Sequence, residues 1–230
     1  MSRTALVAGA SGLVGGHVLH LLLGDDAFTR VVTLARRPLS VQYTKLEQRV
    51  VDMGALDALS DLPRVDDVFC CLGTTIKTAG SQAAFHKVDY EYVVGVARAG
   101  QRAGATQFLL VSAIGADPAS RIFYSRVKGE VERAVRELPY EAVQIFRPSF
   151  LMGDRRVARL AERIGIPVAR VVAPLLVGPL RRYRPVHAAD VARAMVQIAK
   201  EALRGPTVFE YDGIMAAARR PKGCLDSDPR

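Results

Sequence analysis

The sequence predicts one α/β domain built on a doubly wound parallel sheet, with a small C-terminal lobe on the substrate side. Short apolar runs alternate with amphipathic segments along most of the chain, and the first run, residues 5–8, ends in a glycine-rich turn. Strands and helices that alternate in this way form parallel sheets covered on both faces. In such folds ligands bind at the carboxyl ends of the strands, where the strand order reverses.

The remaining elements follow from periodicity and turn residues. Strands are expected at 30–35, 48–51, 67–72, 107–112, 141–147 and 207–211. Helices are expected at 14–23, 81–104, 120–138, 155–164 and 190–203. We interpret 1–210 as one domain whose substrate-side segments lie at about 148–185, with an irregular stretch at 167–185 and a loosely held tail from 213 onward within 211–230.

Composition excludes several classes of protein. The 230 residues are 50% hydrophobic and 24% charged, as in a soluble globular domain. No apolar run reaches the roughly 18 residues of a membrane span, and no signal-peptide pattern is present, so we expect a cytoplasmic protein. Cys70, Cys71 and Cys224 are an odd number of cysteines and do not suggest a disulfide framework, which favours reduced thiols. Neither the cysteines nor the four scattered histidines have the spacing of metal ligands, so no metal site is expected.

The net charge of +9 is concentrated in arginines between residues 155 and 184. Such a surface attracts an anionic cofactor or substrate, or it is a solvated basic face. No aromatic interleaving or recognised motif accompanies the charge, so nucleic acid is not the expected partner.

The turn after the first strand is typical of a dinucleotide-binding loop. Gly9 can adopt backbone angles closed to other residues, Gly12 lets the main chain approach a pyrophosphate, and Gly15 lets the helix lie close to its strand. The free N–H groups and the positive end of the helix dipole would face the phosphates. A purely structural strand–helix corner is the alternative. The predicted phosphate-binding residues are Gly9, Ala10, Ser11, Gly12, Leu13, Val14 and Gly15.

The ends of the second and third strands supply further candidate contacts. Arg36 and Arg37 stand where an NAD site usually has an acidic residue. An arginine there can donate two hydrogen bonds to a 2′-phosphate, which favours NADP(H) over NAD(H). The alternative is an exposed pair of surface arginines. Asp52 can accept a hydrogen bond from the adenine amino group, with Met53 against the ring. A capping role for Asp52 at the following helical turn is equally compatible with the sequence.

A loop of small residues follows the fourth strand. It can lie flat under a cofactor with Gly73 as the point of close approach, or it can be an ordinary turn. The residues concerned are Leu72, Gly73, Thr74 and Thr75.

Tyr124 and Lys128 carry the most informative spacing in the chain. Four residues apart, they lie on the same helix face, and a nearby ammonium favours the phenolate and lowers a tyrosine pKa that is about 10 in water. Such a spacing also arises by chance. Ser112 closes the fifth strand, where its hydroxyl could hold a substrate carbonyl while Tyr124 protonates the developing alkoxide.

Together these motifs resemble the short-chain dehydrogenase/reductase superfamily. Within it, the chain is most similar to the atypical group that includes the Tat-interacting tumour-suppressor oxidoreductase and its bacterial relatives. The resemblance covers residues 4–210 and is carried by the glycine loop, Ser112 and the segments 34–37, 71–75, 88–90, 124–132, 146–149 and 186–192.

The resemblance implies a Rossmann fold, NADPH as cofactor, Ser112 and Tyr124 in proton transfer, and Lys128 on the nicotinamide ribose. It also implies that residues 148–153 line the nicotinamide pocket. Asp89 stands where the extended branch of the superfamily commonly has asparagine, which questions the usual water-mediated proton relay. The site residues added at this strand end are Arg147, Pro148, Ser149 and Phe150.

The sequence therefore predicts an NADP-dependent oxidoreductase of the carbonyl reductase or alcohol dehydrogenase type, acting on a small carbonyl or alcohol as a monomer or homodimer. The alternative is an NADPH-binding regulatory or sensor protein that acts through a protein partner with little turnover. A sugar-nucleotide epimerase is disfavoured, because 230 residues leave little room for a large substrate lobe.

Overall fold

A computed structural model describes residues 2–59, 61–153, 177–201 and 203–220. Seven parallel strands form one sheet in the order β3-β2-β1-β4-β5-β6-β9, and β7 pairs with β8 in a separate parallel pair. Their bounds are β1 Arg3–Ala8, β2 Phe28–Ala35, β3 Leu46–Val50, β4 Asp67–Cys70, β5 Gln107–Val111, β6 Ala142–Phe146, β7 Leu151–Met152, β8 Val186–His187 and β9 Gly205–Phe209.

Seven α-helices accompany the sheet in the described part of the chain. They are α1 Leu13–Leu23, α2 Ile76–Ala79, α3 Gln82–His86, α4 Tyr92–Arg102, α5 Phe123–Arg136, α6 Ala188–Ala199 and α7 Tyr211–Ala218. A π-helical turn, Lys87–Glu91, joins α3 to α4, and 3₁₀ segments lie at Leu56–Ala58 and Gly178–Tyr183. None of the described helices is long and apolar enough to cross a bilayer.

The core lies on both faces of the sheet. Successive strand residues point to opposite faces, so Leu6 packs in one cluster with α4 and α5 residues while Val7 packs in the other with α1, α6 and α7 residues. Both faces being buried explains why the central strands read as continuous apolar runs rather than alternating ones. The doubly wound α/β prediction is confirmed.

The expected loose tail is wrong for its first part. Residues 211–218 form α7, whose Ile214 and Ala217 are buried against the cluster that contains α6. Glycine is unfavourable in a helix, so Gly213 suggested an irregular segment. In the structure Gly213 packs against the ring of Phe209, where the missing Cβ gives room for close packing. Residues 221–230 and the helix expected at 155–164 lie outside the described residues. The stretch expected to be irregular includes the 3₁₀ segment Gly178–Tyr183.

Candidate active site

The glycine loop connects β1 to α1 and touches the loop that follows β4. Gly9 has a φ of +84°, and a Cβ built there would lie 2.6 Å from the carbonyl oxygen of Cys71, so both conformation and space require glycine. A Cβ on Gly15 would overlap the carbonyl oxygen of Gly9. The loops after β1 and β4 therefore meet where the strand order reverses.

The N-terminus of α1 offers free main-chain donors. Gly12 is the N-cap residue, it supplies no side-chain cap, and the first turn contains no acidic residue. The amide groups of the first turn therefore need an external acceptor, and the helix dipole favours an anion there.

Arg36 and Arg37 extend from the end of β2, next to β1 in the sheet. Both side chains are exposed, and neither has a hydrogen-bonding or ion-pair partner among the described residues. Two uncompensated guanidinium groups near the glycine loop suit a phosphate.

Asp52 follows β3 and does not cap the next helical turn, whose N-cap is Ala55; its contact with adenine stays a prediction. Its carboxylate accepts a hydrogen bond from the Gly54 amide at 2.8 Å, and its carbonyl accepts one from Ala55 at 3.0 Å, so it shapes a turn. Met53 is only 4% exposed and packs in the core, which leaves little surface for an adenine ring. Met53 also borders a cavity of about 430 Å³ that runs along α4, with neither the glycine loop nor Lys128 in its lining.

The small-residue loop after β4 is fixed from below by Asp89. The Thr74 amide donates to the Asp89 carboxylate at 2.9 Å, and Thr75 caps α2 by accepting from the Thr78 amide at 3.1 Å. Gly73 is exposed, and a Cβ built on it would lie 3.5 Å from Asp89 Oδ1 and 3.8 Å from Lys128 Nζ. Gly73 therefore forms an accessible surface directly over these two charged groups.

Asp89 and Lys128 form a buried ion pair. The Nζ–Oδ1 distance is 2.7 Å, and the two side chains are 5% and 0% exposed for Lys128 and Asp89 respectively. Burial by itself would lower the pKa of Lys128, but the charge of Asp89, followed by the nearby Tyr124 phenol, holds it above its ordinary value. Lys128 is therefore a permanent cation at neutral pH.

Tyr124 lies one helical turn before Lys128 at the start of α5. Its ring packs against Phe85 with a centroid distance of 5.5 Å, and the residue is only half-buried. Its hydroxyl has no hydrogen-bond partner within the described ranges. The phenol is thus oriented by packing, close to the Lys128 charge, and free to meet a ligand.

Ser112 has a different partner from the one expected. Its hydroxyl donates to the buried carboxylate of Glu132 at 2.6 Å, and Arg147 binds the same carboxylate with two bonds of 2.9 and 2.6 Å. Because the single hydroxyl hydrogen is engaged, Ser112 could donate to a substrate carbonyl only by exchanging this bond. Its catalytic role stays a prediction.

The segment after β6 approaches the glycine loop. The Pro148 carbonyl accepts from the Ile114 amide at 3.0 Å, and the Ser149 hydroxyl donates to the carbonyl of Arg184. Phe150 is 48% exposed. A Cβ on Gly153 would lie 2.8 Å from a Leu13 methyl group, so β7 packs over the start of α1. The segments that follow β1, β4, β5 and β6 therefore lie close together at the carboxyl edge of the sheet.

Two residues that shape the site were not identified from the sequence. Glu132 follows Tyr124 and Lys128 at the same four-residue spacing, so the helix-face argument could have found it. Gly129 permits α5 to press on the backbone of Asp117 and Pro118, a contact that no local pattern announces. Within the described ranges no group of three or more His, Cys, Asp or Glu residues could hold a metal ion.

The chain is similar to one family of known proteins and to several named relatives. The model of the NAD dependent epimerase/dehydratase family matches residues 5–211. Protein HTATIP2 of Rattus norvegicus is 38% identical over 165 residues, which cover 70% of this chain and 68% of the rat protein. Protein FMP52, mitochondrial, of Coccidioides immitis is 33% identical over 218 residues, which cover 89% of this chain and 88% of the fungal protein.

Solved structures support the fold. Bordetella bronchiseptica WbmH in complex with NAD+ aligns with a TM-score of 0.67 at 16% identity, covering 91% of this chain and 76% of that one. A short chain dehydrogenase family protein from Francisella tularensis aligns with a TM-score of 0.66 at 14% identity, covering 94% and 100%. Likeness at these identities concerns the fold alone.

The expected cytoplasmic location is corrected by these comparisons. Several fungal relatives are named mitochondrial proteins. The prediction depended on the lack of a secretory signal pattern, and that lack does not discriminate between the cytoplasm and an organelle.

Proposed function

Because the chain belongs to the NAD dependent epimerase/dehydratase family and is homologous to HTATIP2 and FMP52, we propose that it is an NADPH-dependent oxidoreductase that interconverts a small carbonyl compound and its alcohol. The observation that carries the proposal is the half-buried Tyr124 next to the buried Lys128 cation, below the exposed Gly73 loop.

The described residues fit a dinucleotide. Gly9 lets the glycine loop pack against the loop after β4, and the uncapped start of α1 presents amide donors to a pyrophosphate. Arg36 and Arg37, exposed and without partners in the described structure, fit the extra phosphate of NADPH. Asp52 shapes the turn after β3 through Oδ1, and its exposed carboxylate keeps a second oxygen that can accept from an adenine amino group.

Each catalytic group has a defined task. NADPH held by the glycine loop, Arg36 and Arg37 would supply a hydride for the carbonyl carbon. Tyr124 donates its phenolic proton to the carbonyl oxygen, so that carbon and oxygen each receive one hydrogen and the alcohol is neutral. Lys128, fixed by Asp89, stabilises the phenolate that remains. Gly73, lacking a side chain, lets the ligand approach these groups.

The test combines turnover with binding. We expect the purified protein to consume NADPH with at least one member of a panel of aldehydes and ketones, and Tyr124→Phe to lower kcat by about 10²–10⁴-fold while calorimetry shows unchanged NADPH affinity. Tyr43→Phe is the matched control, since Tyr43 is 51% exposed and lies between β2 and β3, outside the predicted site residues. Activity that survives Tyr124→Phe would overturn the catalytic assignment.

The regulatory alternative makes a different prediction in the same experiment. A protein that binds NADPH in order to signal to a partner would show tight binding and no turnover across the panel. If the protein bound neither NADPH nor NADH, both the oxidoreductase and the regulatory hypothesis would be wrong.

A further inference from the structure

Large apolar side chains are exposed at the carboxyl edge of the sheet, near Tyr124. Ile122 is the N-cap residue of α5, two residues before Tyr124, and it is 67% exposed. Phe150 follows β6 and Ile76 begins α2, after the loop that follows β4, and both side chains are exposed as well. Single exposed apolar residues are ordinary, but several in one region of the surface indicate that a ligand or another molecule covers them.

Main-chain hydrogen bonds hold the segments that carry these side chains together. In the loop after β5, the Ile114 amide donates to the Pro148 carbonyl at 3.0 Å, and the Asp117 amide donates to the Ser125 carbonyl at 3.0 Å. The first bond reaches the segment that contains Phe150, and the second reaches the first turn of α5, which carries the phenol. The apolar side chains and the phenol therefore belong to one region of the surface.

The 3₁₀ segment Gly178–Tyr183 extends this apolar surface. Leu180 and Tyr183 are exposed and lie three residues apart, so they project from the same side of the segment. The segment is tied to the residues after β6, because the Arg184 carbonyl accepts from the Ser149 hydroxyl. Exposed apolar side chains thus run from the start of α5, past the residues after β6, to the 3₁₀ segment.

Three hydroxyl side chains in this region are already hydrogen-bonded within the protein. Ser112 donates to a buried carboxylate, Ser149 donates to a main-chain carbonyl, and Thr75 caps α2. The hydroxyl of Tyr124, by contrast, has no hydrogen-bond partner in the described part of the chain. A ligand rich in hydroxyl groups would have to break these bonds, whereas an apolar ligand would cover surface that is unfavourable to expose to water.

We propose that the carbonyl compound has an apolar body, which covers Ile122, Phe150 and Leu180 while its carbonyl oxygen meets Tyr124. This inference rests on the function proposed above and names the class of substrate, an apolar aldehyde or ketone. A single polar group at the reacting oxygen is enough to orient such a substrate, because each methylene that it buries adds to its affinity.

A series of unbranched aldehydes from propanal to octanal tests the proposal, since its members differ only in the length of the apolar chain. We expect kcat/KM with NADPH to rise about two- to fourfold for each added methylene that is buried. The double variant Ile122→Ser/Leu180→Ser should lower kcat/KM at least about fivefold more for octanal than for propanal. Val208→Ser is the matched control, since Val208 is exposed on the edge strand β9. No dependence on chain length, or equal losses for both aldehydes, would overturn the proposal.

Binding of unreactive amides separates a failure of this inference from a failure of the proposed reaction. Octanamide and propanamide share one carbonyl group and differ in chain length. Calorimetry should show that octanamide binds at least about tenfold more tightly than propanamide, and that Ile122→Ser/Leu180→Ser removes most of this difference. Equal affinities, or a preference that survives the double variant, would contradict the apolar contact.

The two assays together assign each outcome. A preference for octanamide that depends on Ile122 and Leu180, without turnover of any aldehyde, would support the apolar surface and count against the proposed reaction. Turnover of aldehydes without a preference for longer chains would support the reaction and overturn the substrate class.

Discussion

Ser112 donates its hydroxyl hydrogen to Glu132, 2.6 Å away, and this bond joins the end of β5 to the middle of α5. Arg147, at the end of β6, donates to both oxygens of the same carboxylate. The ends of β5 and β6 and the middle of α5 are therefore linked through one buried acid.

We expect Glu132→Gln to reduce the free energy of unfolding by about 3 kcal/mol, since it removes the charge that compensates Arg147 in a buried setting. Glu130→Gln is the matched control on the same helix, where the partner Arg126 is 4.0 Å away and partly exposed, and a loss under about 1 kcal/mol is expected. Urea denaturation of both variants measures the difference. Equal losses would contradict the buried network.

Replacing Ser112 should affect catalysis less than replacing Tyr124. Because its hydrogen is engaged by Glu132, we expect Ser112→Ala to lower kcat by less than about tenfold and the unfolding free energy by about 1 kcal/mol. Steady-state kinetics beside Tyr124→Phe checks this order. A loss in Ser112→Ala as large as in Tyr124→Phe, with unchanged stability, would restore Ser112 as the substrate donor.

Gly9 and Gly80 allow backbone strain to be separated from steric overlap. Both have a φ near +85°, but a Cβ on Gly9 meets the Cys71 carbonyl whereas nothing lies within 4 Å of one on Gly80. Gly80→Ala should cost about 1 kcal/mol from conformation alone. Gly9→Ala should cost several times more and abolish nucleotide binding, as measured by thermal unfolding and calorimetry. Similar costs at both positions would mean that the two loops do not press together.

The preference for NADPH over NADH is expected to depend on the arginines at the end of β2. Arg36→Ala should weaken NADPH binding by about tenfold to a hundredfold and leave NADH binding unchanged, because the lost charge-assisted bonds face only the 2′-phosphate. Arg133→Ala, an exposed arginine on α5, serves as the control. Calorimetric titration with both nucleotides gives the ratio. An equal loss for NADH and NADPH would refute the assignment.

Asp67 should make stability depend on pH in the mildly acidic range. Burial raises the pKa of Asp67 from its ordinary value of 3.8 to about 6, against the opposing hydrogen bond and charge of Arg3. The folded protein then binds this proton more tightly than the unfolded chain, so the Asp67 contribution is fully present below about pH 4 and is lost as the pH rises through about 6. Asp67→Asn should flatten this part of the stability curve, whereas Asp61→Asn, at an exposed carboxylate, should not. An unchanged slope in Asp67→Asn would contradict the raised pKa.

The sequence by itself determined the sheet, the glycine loop and the helix face that carries Tyr124 and Lys128. These are local features: strands buried on both faces read as apolar runs, a tight turn needs glycine at Gly9, and a spacing of four places side chains together on a helix. The strand bounds differ from the expected ones by only a few residues, for example Gln107–Val111 against 107–112.

Only the tertiary structure decided how the charges are paired. Asp89 reaches Lys128, and Ser112 reaches Glu132, because β4, β5 and the helices that follow them are brought together by the parallel sheet. The sequence left Asp52 with two interpretations, and the structure shows that it does not cap the next helical turn, because its Oδ1 accepts from the Gly54 amide and the N-cap is Ala55. Pairing of a buried charge depends on which group lies within about 3 Å of it in the folded chain, and no local pattern specifies that distance.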